Sequence, residues 1–144
     1  MLSYEQALEK LLAAAQPVAE IRSQPLTAAA GRVLAVAQRS TVAVPPLDNS
    51  AMDGYAVRTA DITAAGICLP ISQRIPAGTV GTALQPGTAA RIFTGAPVPA
   101  GADAVVMQEL CAHGEVGNTS GVVINQMPRA EENIRRAGED IPAG

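Results

Sequence analysis

The chain has 144 residues, which is about the length of one ordinary domain. Its net charge is -3 and its basic residues form no block, so the composition argues against a nucleic-acid-binding protein. One Phe, two Tyr and no Trp mean that Val, Ile, Leu and Ala must build a core of modest apolar area.

Cysteine usage and the N-terminal sequence indicate an intracellular protein. Cys68 and Cys111 are isolated thiols without CxxC spacing, so both are predicted to be reduced and structural. His113 is the only histidine and is predicted to be incidental, since it and Cys111 supply too few ligands for zinc. No signal-like segment and no apolar stretch of roughly 18 residues are present, which predicts a cytoplasmic protein without a membrane partner.

The first predicted element is an amphipathic helix over residues 4–15. Ser3 and Gln6 have the spacing of a capping box. Leucines then recur at helical spacing, and Pro17 is predicted to end the helix. The apolar stripe of this helix requires a partner surface.

A short second helix is predicted through residues 28–30, with Thr27 as its cap. Gly31 costs about 1 kcal/mol against Ala inside a helix, so a close backbone contact is the expected reason for it. Residues 39–44 are predicted to be extended, and Pro45–Pro46 to end that segment.

The stretch PPLDNSAMDGYAV, residues 45–57, holds two carboxylates among turn-forming residues. Asp48-Asn49-Ser50 is predicted to be a turn, and Asp53-Gly54 a second turn before an extended segment. Short acids on a stiff loop beside a strand are typical of ligand sites, although an ordinary surface turn uses the same residue types.

Short apolar segments separated by glycine and proline turns follow, which is typical of a compact all-β unit. Strands are predicted at 67–71, 89–93, 104–108 and 122–125, with a glycine-rich loop at 111–121. The predicted fold class is therefore mainly β with an N-terminal helix (α+β): a small β-rich domain of short strands plus a helical and extended stub.

Three stretches resemble one known family, in its order and roughly its spacing. They are DNSAMDGYAV at 48–57, RIFTGAPVPAGADAVVMQE at 91–109 and NIRRAGED at 133–140. The family is the molybdopterin molybdenumtransferases, which includes MoeA and the gephyrin E domain. Leu47 departs from the aromatic residue that the family usually has, which affects packing and not chemistry.

The resemblance implies a domain arrangement. Residues 1–25 would be a helical stub of the family's first domain, residues 26–140 its β-rich second domain, and residues 141–144 the start of a connection back to the first. The pterin-binding and C-terminal domains would lie outside this chain.

The resemblance also implies an activity, that of part of a molybdenum insertase. Such an enzyme takes adenylylated molybdopterin and molybdate, cleaves the pyrophosphate bond, releases AMP and leaves molybdenum on the dithiolene. It implies Mg²⁺, a homodimer with a site shared between subunits, and a molybdopterin adenylyltransferase upstream. The 144-residue chain alone is expected to be inactive.

Candidate residues follow from the resemblance together with their chemistry. Asp53 is the expected Mg²⁺ carboxylate, because Mg²⁺ is usually held by one or two carboxylates and phosphate oxygens. The expected catalytic residues are Asp53, Thr94 and Asp140, and the expected substrate-binding residues are Asn49, Ser50, Gly95, Arg135 and Arg136.

Local chemistry adds two hypotheses. The Thr94 hydroxyl and the Gly95 N–H could form an oxyanion-binding nest in a tight turn. Asp48 is predicted to brace its loop by accepting backbone N–H groups.

Two alternative functions stay open at the level of sequence. One is a non-enzymatic dimerisation or scaffolding module. The other is a metal-dependent phosphohydrolase that uses Asp48, Asp53 and Asp140 alone. For RRAGED at 135–140, the competing interpretation is a solvent-exposed run of mixed charges.

Overall fold

The computed structural model describes residues 2–16 and 20–144. They divide into a first unit up to Gln38 and a second unit from Arg39 onward. Residues 26–38, which the sequence assigned to the β-rich domain, therefore fall in the first unit. The backbone hydrogen bonds of this stretch are local, and it contributes no strand to the sheets of the described residues.

The N-terminal helix, α1, runs from Tyr4 to Ala14 and confirms the predicted amphipathic helix. Both halves of the capping box are present. The Gln6 N–H donates to Ser3 Oγ at 3.3 Å, and the Ser3 N–H donates to Gln6 Oε1 at 3.1 Å. No helix residue is buried, so the apolar stripe is exposed; Pro17, the predicted end of the helix, lies outside the described residues.

The predicted second helix is wrong in extent and in its cap. A single 3₁₀ turn spans Leu26–Ala28, with Pro25 before it and Thr27 inside it, and no side chain caps it. Gly31 has φ of +77°, and a Cβ at this position would meet nothing within 4 Å. The left-handed backbone, and not a close contact, therefore explains this glycine.

The second unit is built from eight strands. They are β1 Asn49–Ser50, β2 Gly54–Val57, β3 Ile67–Ile75, β4 Ala89–Ile92, β5 Ala104–Met107, β6 Cys111–Val116, β7 Thr119–Ile124 and β8 Ile134–Arg135. Six form one sheet in the order β5-β2-β4-β3-β7-β6, and β1 pairs with β8 in a separate ribbon. All pairs are antiparallel except β3 with β4. The mainly β fold class with one N-terminal helix is confirmed.

Strand β3 curls the sheet because its two halves pair with different neighbours. Residues 67–70 pair with β7, and residues 71–75 pair with β4. The register shifts between Ile71 and Gln73, where an irregularity lets the strand bend.

Two segments predicted as loops or turns are strands. The predicted loop at 111–121 is a β6–β7 hairpin with its turn at 117–118, and His113 pairs with Val122 in it. Asn49–Ser50, predicted to be a turn, forms β1. Both strands were missed because polar and glycine residues give them no apolar alternation, which is the signal that predicts a strand from sequence.

The core lies on both faces of the central strands. On β2, Ala56 packs into one apolar cluster and Val57 into the other, and Val105 and Val106 divide in the same way on β5. This explains the continuous apolar runs of these strands, which lack the alternation of a half-exposed sheet. In the part of the chain that the structure describes, no helix is long and apolar enough to cross a membrane.

Candidate functional site

The three sequence motifs meet in the second unit. Strand β2, from the 48–57 motif, lies between β4 and β5 of the 91–109 motif, so that Tyr55 pairs with Arg91 and with Val106. Strand β1 of the first motif pairs with β8 of the 133–140 motif, with Asn49 opposite Arg135. Segments far apart in sequence, such as those that hold Asn49 and Arg135, thus meet in the second unit.

Asp53 lies in the bend between β1 and β2, and Thr94 holds its carboxylate. The Thr94 N–H and hydroxyl both donate to Asp53 Oδ1, at 2.8 and 2.7 Å. These two bonds, the backbone one first, lower the pKa of Asp53 from its usual value, and the Arg91 charge adds a smaller effect. No described residue donates to Oδ2 of the partly exposed Asp53, and this oxygen is not a buried atom, so it is open to a ligand.

The predicted nest of free donors is not formed. The Thr94 hydroxyl and N–H are used by Asp53, and the Gly95 N–H donates to the Ser50 carbonyl at 2.8 Å. Gly95 has φ of +79°, which the turn after β4 requires. In this structure the turn therefore orients a carboxylate instead of offering donors to an anion.

Ser50 and Asn49 lie under the Asp53 bend. Ser50 is 1% exposed, and its hydroxyl donates to the Met52 carbonyl at 2.6 Å and accepts the Met52 N–H at 3.3 Å. This local turn sets the direction of the bend that leads to Asp53. The Asn49 side-chain oxygen is buried without a hydrogen-bond partner. Of the two predicted substrate-binding residues, Ser50 is therefore buried, whereas Asn49 is partly exposed with only its side-chain oxygen buried.

Asp140 and the two predicted arginines form a separate group of ion pairs near the β1–β8 ribbon. Arg135 Nη2 donates to both oxygens of Asp140 at 2.7 Å. Arg136 pairs with Asp48 and with Glu131. The structure gives no hydrogen bond or ion pair between this group and Asp53 among the described residues, so it does not join the three predicted catalytic residues directly.

Asp48 braces the chain as predicted, although its partners are distant in sequence. Its Oδ1 accepts the Ala137 N–H at 2.8 Å, and its Oδ2 pairs with Arg136. The Ala137 bond first, and then Arg136, lower the pKa of Asp48. This carboxylate therefore fastens the third motif to the first.

Arg91 and Gln108 are site residues that sequence reasoning missed. Arg91 Nη1 donates to the Gly54 carbonyl at 2.8 Å, and its Nη2 donates to Gln108 Oε1 at 2.6 Å. The Gln108 N–H in turn donates to the Asp53 carbonyl at 3.0 Å. The two residues fix the backbone on either side of the Asp53 side chain. The sequence offered one sign of this role, a lone arginine in β4, whose other residues are small or apolar. Which carbonyl this arginine reaches depends on the register between β2 and β4, and this register follows only from the structure.

Metal ligands are few in this region. Within residues 2–16 and 20–144, no three His, Cys, Asp or Glu side chains come close enough to hold a metal ion together. Asp48, Asp53 and Asp140 are not gathered into one group. A divalent cation here would take Asp53 as a protein ligand and fill its shell with substrate oxygens and water, which suits Mg²⁺.

Comparisons with known proteins agree with the three motifs. The family profile described as "MoeA N-terminal region (domain I and II)" matches residues 2–144. Molybdopterin molybdenumtransferase 2 of Mycobacterium tuberculosis is 40% identical over 146 aligned positions, which cover 98% of this chain and 34% of that protein. Molybdopterin molybdenumtransferase of Nostoc sp. is 54% identical over 124 positions, covering 83% of this chain and 28% of that protein.

A solved structure supports the same relationship. The molybdopterin biosynthesis moeA protein of Pyrococcus horikoshii matches with a TM-score of 0.77 and 33% identity, over 100% of this chain and 38% of that one. This chain thus spans about a third of the length of the relatives that it matches. The chain belongs to the molybdopterin molybdenumtransferase (MoeA) family and corresponds to its N-terminal region, domains I and II.

Proposed function

We propose that this chain is the part of a molybdenum insertase that presents Asp53 to a phosphorylated pterin. The reaction takes adenylylated molybdopterin and molybdate, releases AMP and leaves molybdenum on the dithiolene. One observation carries the proposal: Asp53 Oδ1 is fixed by Thr94, while Oδ2 is open on a partly exposed residue where two family motifs meet. An ionised carboxylate held in this way is pre-organised to act on a ligand.

Mg²⁺ fits this arrangement as a ligand of Asp53. Asp53 Oδ2 is open and the lowered pKa keeps the carboxylate ionised, so one anionic ligand is available to the ion. The described residues around it provide no group of three metal ligands, which leaves the other coordination positions of Mg²⁺ to phosphate oxygens and water. When bound, the ion would neutralise phosphate charge and polarise the phosphorus. Thr94, Arg91 and Gln108 orient the carboxylate, and Asp53 in turn orients the pyrophosphate.

The proposal extends to a homodimer in which Asp53 of one subunit faces a pterin held by the other. The accessible position of Asp53 and the family relationship support it, as does the length of the relatives, which leaves most of their sequence outside the matched region. A cytoplasmic location and substrate supply by an adenylyltransferase belong to the same proposal. Mixing two inactive full-length variants, one in Asp53 and one in the pterin domain, should restore activity; no restoration would contradict the shared site.

The direct test is a full-length relative in which this chain replaces the matching segment. Asp53→Asn keeps the shape and the Thr94 bonds but removes the charge, so molybdenum transfer should fall about 100-fold or more. Asp61→Asn is the control, because Asp61 is also partly buried and accepts one backbone N–H, from Gly87 at 2.8 Å, besides its ion pair with Arg58. Transfer unchanged in Asp53→Asn would remove Asp53 from the site.

A further inference from the structure

Arg74, Arg91 and Phe93 lie together on one face of the sheet, and we call them the arginine–phenylalanine cluster. Arg74 on β3 and Arg91 on β4 are direct partners in the parallel pairing of these strands. Ile75 and Ile92 follow them and are buried in the core. Because successive side chains of a strand point to opposite faces, the two arginines share the face opposite Ile75 and Ile92, and Phe93 lies on that face two residues after Arg91.

Both guanidinium groups contact the same aromatic ring. The Cζ atoms of Arg74 and Arg91 each lie 4.5 Å from the centroid of Phe93. The two cations are therefore no farther apart than twice that distance, which is comparable to the Debye length of about 8 Å at physiological salt. Two like charges held this close favour the binding of an anion between or beside them.

The hydrogen bonding of the two arginines differs. Arg91 is occupied by neutral acceptors, the carbonyls of Gly54 and Ile92 and the side-chain amide of Gln108. Arg74 is exposed, and its side chain takes part in none of the hydrogen bonds or ion pairs of the described residues. Stacking restrains its guanidinium while leaving the in-plane N–H donors open. Such a donor set suits a tetrahedral oxyanion, which arginine binds in a bidentate manner.

The cluster leads directly into the site described above, since Phe93 precedes Thr94, which holds Asp53. We propose that Arg74, restrained on Phe93 beside Arg91, binds a phosphoryl group of the substrate and extends the Asp53 site along β3 and β4. The identity of the ligand rests on the proposed function. The anion-binding character of the cluster rests on its own geometry and charge.

The test is a titration of this chain with inorganic pyrophosphate, and separately with molybdate, followed by amide NMR. Pyrophosphate should cause saturable shifts at residues 74–75 and 91–94. Arg74→Ala should weaken binding about tenfold, since charge-assisted hydrogen bonds are lost. Arg74→Lys should give an intermediate loss, because the charge remains and the planar fork does not. Arg129→Ala is the matched control, an exposed arginine whose side chain likewise makes no bond with the described residues.

Three results would overturn this inference. They are equal affinity in Arg74→Ala, an equal loss in Arg129→Ala, and tighter binding of molybdate than of pyrophosphate. The titration involves no turnover, so its outcome is independent of the Asp53→Asn assay. If pyrophosphate binding depends on Arg74 while Asp53→Asn transfers molybdenum normally, the proposed function fails and the anion site stands.

Discussion

Gly54 is the glycine of the described residues that has the least room for a Cβ atom. It is buried between β4 and β5, and a Cβ built on it would lie 2.0 Å from the Val106 carbonyl oxygen and 2.9 Å from the Val106 carbonyl carbon. Both atoms are backbone, so no side-chain rotation relieves the contact. Ordinary contacts begin near 3.4 Å, so Gly54→Ala requires β5 to move by about 1.4 Å.

That movement sets the expected cost. A β-ladder hydrogen bond that lengthens by more than 1 Å is lost, and each contributes about 1 kcal/mol. Losing about two of the β2–β5 bonds, together with looser packing of Val105 and Val106, should lower the free energy of unfolding by about 3–4 kcal/mol. Urea unfolding followed by far-UV circular dichroism measures this value.

Gly114→Ala is the matched control. Gly114 is also in a strand, but the atoms nearest to its Cβ are Cys68 Sγ at 2.6 Å and Val123 Cγ2 at 2.9 Å, which are side-chain atoms that can shift. We expect a loss of about 1 kcal/mol there. A loss below about 1 kcal/mol in Gly54→Ala, or a loss no larger than that of Gly114→Ala, would refute the reasoning.

Two further predictions concern titrating groups. Thr94→Val should raise the pKa of Asp53 only part of the way to its usual value, because the Thr94 backbone N–H, which lowers this pKa most, remains in the variant. NMR of the Asp53 carboxyl carbon measures the pKa. An unchanged pKa would contradict the hydrogen bond from the Thr94 hydroxyl. Because the pKa of Asp53 is lower in the folded chain than in the unfolded chain, its hydrogen bonds to Thr94 stabilise the fold above about pH 4. This stabilisation is lost as the pH falls through the pKa of Asp53 in the folded chain. Thr94→Val should therefore make the free energy of unfolding less dependent on pH in this acid range. Burial raises the pKa of the Cys111 thiol from its ordinary value of 9.0 to about 11. Its thiolate fraction at pH 8 should therefore be about 100-fold lower than in the unfolded chain. In a Cys68→Ser variant, iodoacetamide should alkylate Cys111 more slowly in the folded chain than in the unfolded chain, by about the same factor. Equal alkylation rates in the folded and unfolded chains would contradict the burial of Cys111.

Local signals in the sequence were sufficient for the elements that they control. The capping box of Ser3 and Gln6 defined the start of α1, and apolar runs located β4, β5 and β7. The hairpin at 111–124 was missed because β6 carries exposed, polar residues, and its stability comes from pairing with β7. The close contact predicted for Gly31 was wrong, because the positive φ that explains this glycine does not show in the hydrophobic periodicity of the sequence.

The candidate site shows the same limit. Residue types and family motifs identified Asp53 and Thr94, but not that one binds the other. Whether Arg91, Gln108 and Asp48 reach their partners depends on strand register and on contacts between segments 37 to 89 residues apart. Arg135 and Arg136 were expected to grip substrate, whereas carboxylates within the chain occupy both. Side-chain partners of this kind follow only from the three-dimensional fold.

The proposed function requires the central claim that Asp53 and Thr94 act as one unit in molybdenum transfer. A double-mutant cycle in the full-length relative that carries this chain, with Asp53→Asn, Thr94→Val and the double variant, tests this claim most directly. If Thr94 acts by holding the carboxylate, the double variant should transfer molybdenum no more slowly than Asp53→Asn alone. Losses that multiply in the double variant would show that the two residues act independently and would contradict the claim.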